Sequence, residues 1–127
     1  MVPAGYSGTS LPQKLGIKPG TRLLVFNAPA GFLPDIDRVD DGPADVIVSF
    51  HTGRADFEQR LPGLEALMHP AAGLWIAWPK RASKVDTDLT EDVVRDTALP
   101  GRLVDNKVCA IDDTWSGLRL VIRLEHR

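Results

Sequence analysis

Cysteine is nearly absent from this sequence of 127 residues: Cys109 stands alone, so no disulfide and no multi-cysteine zinc site can form within the chain. The three histidines are isolated, and no two share a helical face, so metal-ligand spacing is missing as well. No apolar run approaches the ~20 residues of a membrane span. Basic residues are not in excess, since 15 Lys and Arg stand against 17 Asp and Glu. These absences argue against a disulfide scaffold, a metalloprotein, a membrane protein and a nucleic-acid binder.

What remains is an ordinary globular composition, with 43% apolar and 25% charged residues. The start of the sequence lacks the basic and apolar regions of a secretory signal, so we expect a cytoplasmic protein. Residues 1–9 are small, polar and glycine-containing, and we expect them to form an extended arm. The length fits one domain with one core. We therefore expect a single α/β domain over residues 1–127.

Local patterns predict three helices and five strands. Ser10 and Gln13 form a capping box for a short helix that Gly16 ends. Pro62 lies inside the second predicted helix, where its ring and missing N–H should kink the helix or split it. A loop is expected over residues 33–43, with at most a very short strand near Val39. The two longer helices are predicted at residues 54–69 and 88–99, and the strands at 21–26, 44–50, 73–78, 103–111 and 118–124.

The order of these elements predicts a three-layer, Rossmann-like α/β fold. Right-handed crossovers would make the first three strands parallel, with Val25, Ile47 and Ile76 buried. Only residues 112–117 separate the last two strands, so these should form an antiparallel hairpin. Apolar and polar residues alternate in the last strand, which predicts that one of its faces is wetter than those of the first three.

Five segments resemble a bacterial family described only as a domain of unknown function. The resemblance spans nearly the whole chain, and it implies no activity because the family has none assigned. The segments are residues 5–9 (GYSGT), 14–20 (KLGIKPG), 74–80 (LWIAWPK), 87–95 (TDLTEDVVR) and 104–110 (VDNKVCA).

Two further segments, residues 18–25 and 69–76, are similar to parts of the S-adenosylmethionine-dependent methyltransferase fold. That resemblance implies a shortened methyltransferase-like sheet in which the last strand lies between the third and fourth. The alternating pattern of the last strand argues for a more exposed place, and both placements stay open. Methyltransferases bind their cofactor with a glycine-rich loop after the first strand and a carboxylate after the second strand. Here the loop over residues 27–31 has one glycine and a proline, and Asp45 opens its strand, so no cofactor is expected.

Polar side chains follow the first three predicted strands. The carboxyl ends of parallel strands meet at one edge of a sheet, so these side chains should line one concavity that accepts an anion. The loop after the third strand is basic, with Lys80, Arg81 and Lys84. The alternative is that all of these are solvated loop residues, with Ser83, Thr87 or Thr90 capping a helix. The candidate ligand-binding residues are Asn27, His51, Thr52, Trp78, Lys80 and Ser83.

No catalytic constellation is apparent. The sequence has no nucleophile elbow, and no Ser-His-Asp or Cys-His arrangement can be built from it. His51 is the best acid–base candidate, because an unperturbed imidazole titrates near neutrality, and we expect it to be non-catalytic. Asp105, Asp112 and Asp113 could suggest a cation site, but turn chemistry explains them better, because Asp112 and Asp113 are adjacent in a hairpin loop and would point apart. Cys109 is expected to be a small buried side chain, and Trp115 to close the end of the core, with a ligand lid or a dimer contact as the alternatives.

These patterns favour a non-catalytic module that binds an anionic small molecule or a protein partner, with a homodimer left open. The alternative is a small S-adenosylmethionine-dependent transferase whose site a partner completes.

Overall fold

A five-stranded sheet with helices organises residues 10–127, the part of the chain that this computed structural model describes. The arm expected over residues 1–9 lies outside the described residues. The elements are α1 (Leu11–Leu15), β1 (Leu23–Phe26), β2 (Ala44–Phe50), α2 (Arg54–Ala66), β3 (Met68–Pro79), α3 (Glu91–Ala98), β4 (Leu103–Ala110) and β5 (Trp115–Ile122), with single turns of 3-10 helix at Arg81–Ser83 and Leu124–His126.

The strands lie in the order β1-β2-β3-β5-β4. β1 pairs with β2 and β2 with β3 in parallel, whereas β5 pairs antiparallel with both β3 and β4. The predicted parallel core and antiparallel hairpin are therefore confirmed, and β5 lies between β3 and β4. The prediction of a wetter face on β5 is wrong except at Arg119, because β5 is an interior strand and Val121 on that face is buried.

Both faces of the sheet are covered. α2 and α3 pack on one face, and their apolar side chains there include Phe57, Leu64, Val94 and Ala98. The other face is covered by α1, the segment that follows it and the loop after β1, which contribute Leu15, Ile17 and Phe32 respectively. Successive side chains of each strand point to opposite faces of the sheet, so the sheet separates two apolar clusters.

The first helix follows the predicted caps. The Ser10 side chain accepts a hydrogen bond from the Gln13 amide, the Gln13 side chain accepts from the Ser10 amide, and Gly16 ends the helix with φ 83°. A buried hydrogen bond then fixes α1 on the sheet, because the indole Nε1 of Trp75 donates to the Leu15 carbonyl at 3.0 Å. That carbonyl lies beyond the end of the intrahelical ladder, so the tryptophan satisfies a group that the helix leaves open.

The boundary between α2 and β3 differs from the prediction. α2 is one helix that continues past Pro62, so the two-piece alternative is not found. The helix ends at Ala66 and β3 already starts at Met68, five residues before the predicted start. Ala44 pairs with Met68 and Val46 with Gly73, so residues 69–72 form an irregularity in the ladder. Pro70 lies within this irregularity, where it is tolerated although a regular interior strand would exclude a proline.

The start of α3 also differs from the prediction. Thr90 is the N-cap residue and accepts from the Val93 amide at 3.2 Å, so the helix begins at Glu91 rather than at Asp88. The Asp88 carboxylate instead accepts from the Arg54 amide at 2.7 Å. The N-cap of α2 is Gly53, which has no side chain to serve. Asp88 therefore caps α2 from another segment and fixes the loop before α3 against it.

The two edges of the sheet are β1 and β4. Val25 on β1 is only half-buried, contrary to the prediction, because an edge strand has a neighbour on one side alone. No strand forms near Val39, which donates a single hydrogen bond to the Leu23 carbonyl at 2.8 Å. On β4, the pairing with β5 shifts between Asp105 and Lys107, so Asn106 forms a bulge in that edge.

The hairpin connection is shorter than predicted, because β5 begins at Trp115 rather than at Leu118, whereas its turn chemistry is as predicted. Asp112 accepts from the amides of Thr114 and Trp115 at 2.8 and 2.7 Å, which is turn chemistry. Trp115 packs edge-on against Phe50 with ring centroids 5.1 Å apart, so it closes the end of the core. Cys109 is half-buried rather than buried, and that burial raises the pKa of its thiol. No helix among residues 10–127 has the length and apolar character needed to cross a membrane.

The Trp75–Leu15 contact predicts the effect of one substitution. Trp75→Phe should lower the free energy of unfolding by about 2 kcal/mol or more, because it removes a hydrogen bond from a buried carbonyl and leaves a void. Trp115→Phe is the matched control, and it should cost less because Trp115 is only partly buried. Urea denaturation of both variants measures the difference; equal losses would contradict an anchoring role for Trp75.

Candidate functional site

A cavity of about 460 Å³ opens where β3 ends. After Pro79, the chain makes a 3-10 turn over Arg81–Ser83 and then adopts a left-handed conformation at Lys84, with φ 61°. The Ser83 hydroxyl donates to the Lys80 carbonyl at 2.6 Å, which closes the turn. The rest of the loop returns along the start of α3, so the cavity lies between the loop, the end of β3 and α3. We refer to it as the Trp78 cavity.

Apolar side chains form the floor of the Trp78 cavity, and charged ones surround its opening. Trp78 and Leu89 are 6% and 2% exposed. The Arg81 and Lys84 side chains line the cavity and form no hydrogen bond or ion pair with any of residues 10–127. Two acids also line it: Glu91 is paired with Arg95, whereas Asp86 forms no ion pair with any of residues 10–127. The site therefore offers a buried aromatic surface beneath two unpartnered cations.

Of the six residues predicted from the sequence, only Trp78 lines this cavity. Asn27 has φ 60°, and its side-chain amide donates to the Phe50 carbonyl at 3.2 Å, so it joins the ends of β1 and β2. Thr52 is exposed, and its carbonyl accepts from the Thr87 hydroxyl at 2.6 Å. Both residues hold neighbouring segments together at the predicted edge.

Lys80 and Ser83 also have local structural contacts. The Lys80 amide donates to the Thr114 carbonyl at 2.7 Å, which ties the loop to the β4–β5 hairpin. The Lys80 carbonyl accepts from both the amide and the hydroxyl of Ser83. The basic loop recognised in the sequence does reach the cavity, but through Arg81 and Lys84. The prediction lacked the turn at residues 81–84, which decides which cations of the loop face the cavity.

His51 is buried, and both of its ring nitrogens are engaged. Its Nε2 lies 2.7 Å from the Ser49 hydroxyl, and its Nδ1 lies 2.6 Å from the Asp56 carboxylate. Because a carboxylate only accepts, we assign the proton to Nδ1, so that Nε2 accepts from Ser49. Ser49 lies on β2, His51 directly follows the end of that strand, and Asp56 is in the first turn of α2. This is the Ser-His-Asp arrangement that could not be built from the sequence.

The order of burial along Ser49, His51 and Asp56 is the reverse of what a hydrolytic triad requires. The nucleophile end, Ser49, is 0% exposed, and His51 is 2% exposed, whereas the Asp56 side chain is 57% exposed. A nucleophile must touch its substrate, and no substrate reaches this hydroxyl. The arrangement instead satisfies two buried polar side chains and ties the end of β2 to the start of α2.

Among residues 10–127, no group of three or more His, Cys, Asp or Glu side chains could hold a metal ion. Asp105, one of the acids considered in the hairpin region, is bound to Arg95 at 3.0 Å. Arg95 also pairs with Glu91, and the hydrogen bonds to these two carboxylates raise the pKa of its guanidinium. Glu91, Asp92 and Asp105 are thus engaged in ion pairs with one arginine.

No protein-family profile matches the chain, and no curated protein matches it. A solved structure described as LepI in complex with SAM is similar to it, with 11% sequence identity and a TM-score of 0.51. The similarity covers 89% of this chain and 39% of that chain, so the present sequence spans well under half the length of LepI. At this identity the likeness shows the fold alone.

The hydrogen bond between His51 and Asp56 predicts that two substitutions of Asp56 differ in their effect on stability. Asp56→Ala should lower the free energy of unfolding by about 1–3 kcal/mol, because it leaves the Nδ1 proton of a buried ring without its acceptor. Asp56→Asn keeps an acceptor oxygen and should recover much of the loss. Thermal or urea denaturation distinguishes the two. Identical stability of the alanine and asparagine variants would show that the contact with His51 contributes nothing.

Proposed function

We propose that the chain is a non-catalytic binding module whose ligand is an anionic small molecule with a flat apolar body, bound in the Trp78 cavity. The observation that carries the proposal is the buried Trp78 surface beneath Arg81 and Lys84, two cations without a partner among residues 10–127. A volume of about 460 Å³ lies within the ~300–1,000 Å³ typical of small-molecule sites. Charge-assisted hydrogen bonds from the two cations would orient the acidic group of the ligand.

The fold we propose for this module is a three-layer, Rossmann-like sheet that corresponds to a shortened methyltransferase fold. In such sheets, ligands bind beyond the carboxyl ends of the strands, at the point where the strand order reverses. Here β1 is an edge strand, and the order of the parallel strands runs from β1 to β3 without a reversal. The crevice that would hold a dinucleotide-like cofactor is therefore missing, and the end of β3 is the remaining place for a ligand at that edge.

A test compares 2-naphthoate with its uncharged amide as probes. We expect the carboxylate to bind at least about tenfold more tightly, because a hydrogen bond to a charged group contributes roughly 1.5–3 kcal/mol. Binding should change the fluorescence of Trp78. Arg81→Gln and Lys84→Gln should each remove most of the preference for the acid while retaining weak binding of the amide.

Lys18→Gln is the matched control, because Lys18 is exposed and does not line this cavity. It should leave both affinities unchanged. Equal binding of acid and amide, or equal effects of all three lysine and arginine variants, would contradict an anion site here. If neither probe binds, the proposed small-molecule function fails, and the surface is better tested as a contact with a protein partner or a second copy of the chain.

The second candidate is a small S-adenosylmethionine-dependent transferase that a partner completes. The similarity to the SAM complex of LepI favours it. Against it are the edge position of β1 and the loop over residues 27–31, which has only one glycine. We therefore expect no micromolar binding of S-adenosylmethionine to the isolated chain. Calorimetry that gives a micromolar dissociation constant, about −8 kcal/mol, would favour the transferase instead.

A further inference from the structure

A second cavity, of about 220 Å³, lies on the α1 side of the sheet, between α1 and the strands β4 and β5. Its charged lining residues are Lys14, Lys107 and Arg119, and the amide side chains of Gln13 and Asn106 complete its polar wall. We refer to it as the basic cavity. The Trp78 cavity belongs to the opposite face, where Trp78 and Leu89 pack with the α2 and α3 cluster. The two cavities are therefore separate sites.

The basic cavity concentrates charge of one sign in a chain whose net charge is −2. Among residues 10–127, no Asp or Glu lines it. Lys107 and Arg119 are direct partners across the β4–β5 ladder. Like charges placed opposite each other on neighbouring strands destabilise a sheet. Repulsion of this kind is relieved when an anion binds between the two side chains.

Arg119 is the least satisfied of the three cations. It is half-buried, and its guanidinium forms no hydrogen bond or ion pair with any of residues 10–127. Burial, together with the nearby charge of Arg127, lowers the pKa of this guanidinium. The group lies over Gly73 of β3, where any Cβ would collide with it. A glycine in the neighbouring strand thus makes room for the guanidinium, whose N–H donors are partly desolvated.

The other cations are placed at the same opening. The Lys107 ammonium donates to the Lys14 carbonyl at 3.2 Å, which holds it across the cavity from β4 to α1. An ammonium has three protons, so this bond leaves two for a ligand. The site therefore combines a planar guanidinium, which suits two oxygens of one group, with the point charge of the Lys107 ammonium.

We propose that the basic cavity binds a phosphate group, either as free inorganic phosphate or as the phosphate of a small phosphorylated metabolite. A single carboxylate would neutralise only one of the two facing cations, Lys107 and Arg119, whereas a phosphate brings nearly two negative charges and several acceptor oxygens. The volume of about 220 Å³ is below that of sites for whole organic ligands, so only the phosphate group is enclosed. The organic part of a metabolite would remain outside.

The experiment is calorimetric titration with inorganic phosphate and, separately, with glycerol 3-phosphate, at a constant ionic strength set with sodium chloride. Arg119→Gln and Lys107→Gln should each weaken the binding of phosphate by about tenfold or more. Gly73→Ala keeps every charge but displaces the guanidinium, and it should weaken binding as well. Arg60→Gln is the matched control. Arg60 is an exposed residue of α2, and its guanidinium lies over the Phe26 ring, away from the basic cavity. This substitution should have no effect.

Each outcome decides the proposal. Tighter binding of glycerol 3-phosphate assigns the site to phosphorylated metabolites, and preference for inorganic phosphate assigns it to the free ion. No binding of either probe at 10 mM, or binding that Arg119→Gln and Lys107→Gln leave unchanged, overturns the proposal. If the Arg119 variant does not fold, the exposed Lys107 position decides alone. Binding of 2-naphthoate should be unaffected in the Lys107 variant, so the two cavities fail or succeed independently.

Discussion

Burial of β3 on both faces is the constraint on which the rest of the structure depends. Residues 72–79 of this strand are buried without interruption. It pairs in parallel with β2 on one side and antiparallel with β5 on the other, so the two halves of the sheet meet there. Its side chains reach both layers: Trp75 holds α1 through a hydrogen bond, and Trp78 forms the floor of the cavity near α3. Both proposed sites therefore use the same rigid support from opposite faces.

Much of the fold was predictable because its signals are local or periodic. The capping box at Ser10, the apolar runs of the first three strands and the short hairpin connection each depend on residues close together in sequence. The alternating pattern of β5 did not predict its interior position in the sheet. A charged residue such as Arg119 in an alternating strand is typical of a face exposed to solvent. Arg119 is tolerated because its guanidinium lies over Gly73 of β3, which has no side chain in its way.

The Trp78 cavity lies at the edge of the sheet where the sequence predicted a site, and of the six residues predicted for that site only Trp78 lines the cavity. Parallel strands bring their carboxyl ends to one edge, and the cavity is found at that edge, with Trp78 in its wall. The left-handed conformation of Lys84 and the closed turn at Ser83 select which cations of the loop face the cavity, and no local pattern encodes that choice. His51 was placed correctly after β2, but its partners Ser49 and Asp56 become neighbours only once the chain turns from β2 into α2.

The bulge at Asn106 has a consequence for how the chain behaves at high concentration. β4 is an edge strand that presents unpaired backbone groups and one large apolar side chain, Val108, which is 51% exposed. A flat edge of this kind is a template on which strands of other molecules assemble into aggregates. The bulge breaks the repeat of the backbone two residues before Val108, and Lys107 places a charge beside it. The feature that distorts the ladder thus also protects the sheet from growing beyond its own five strands.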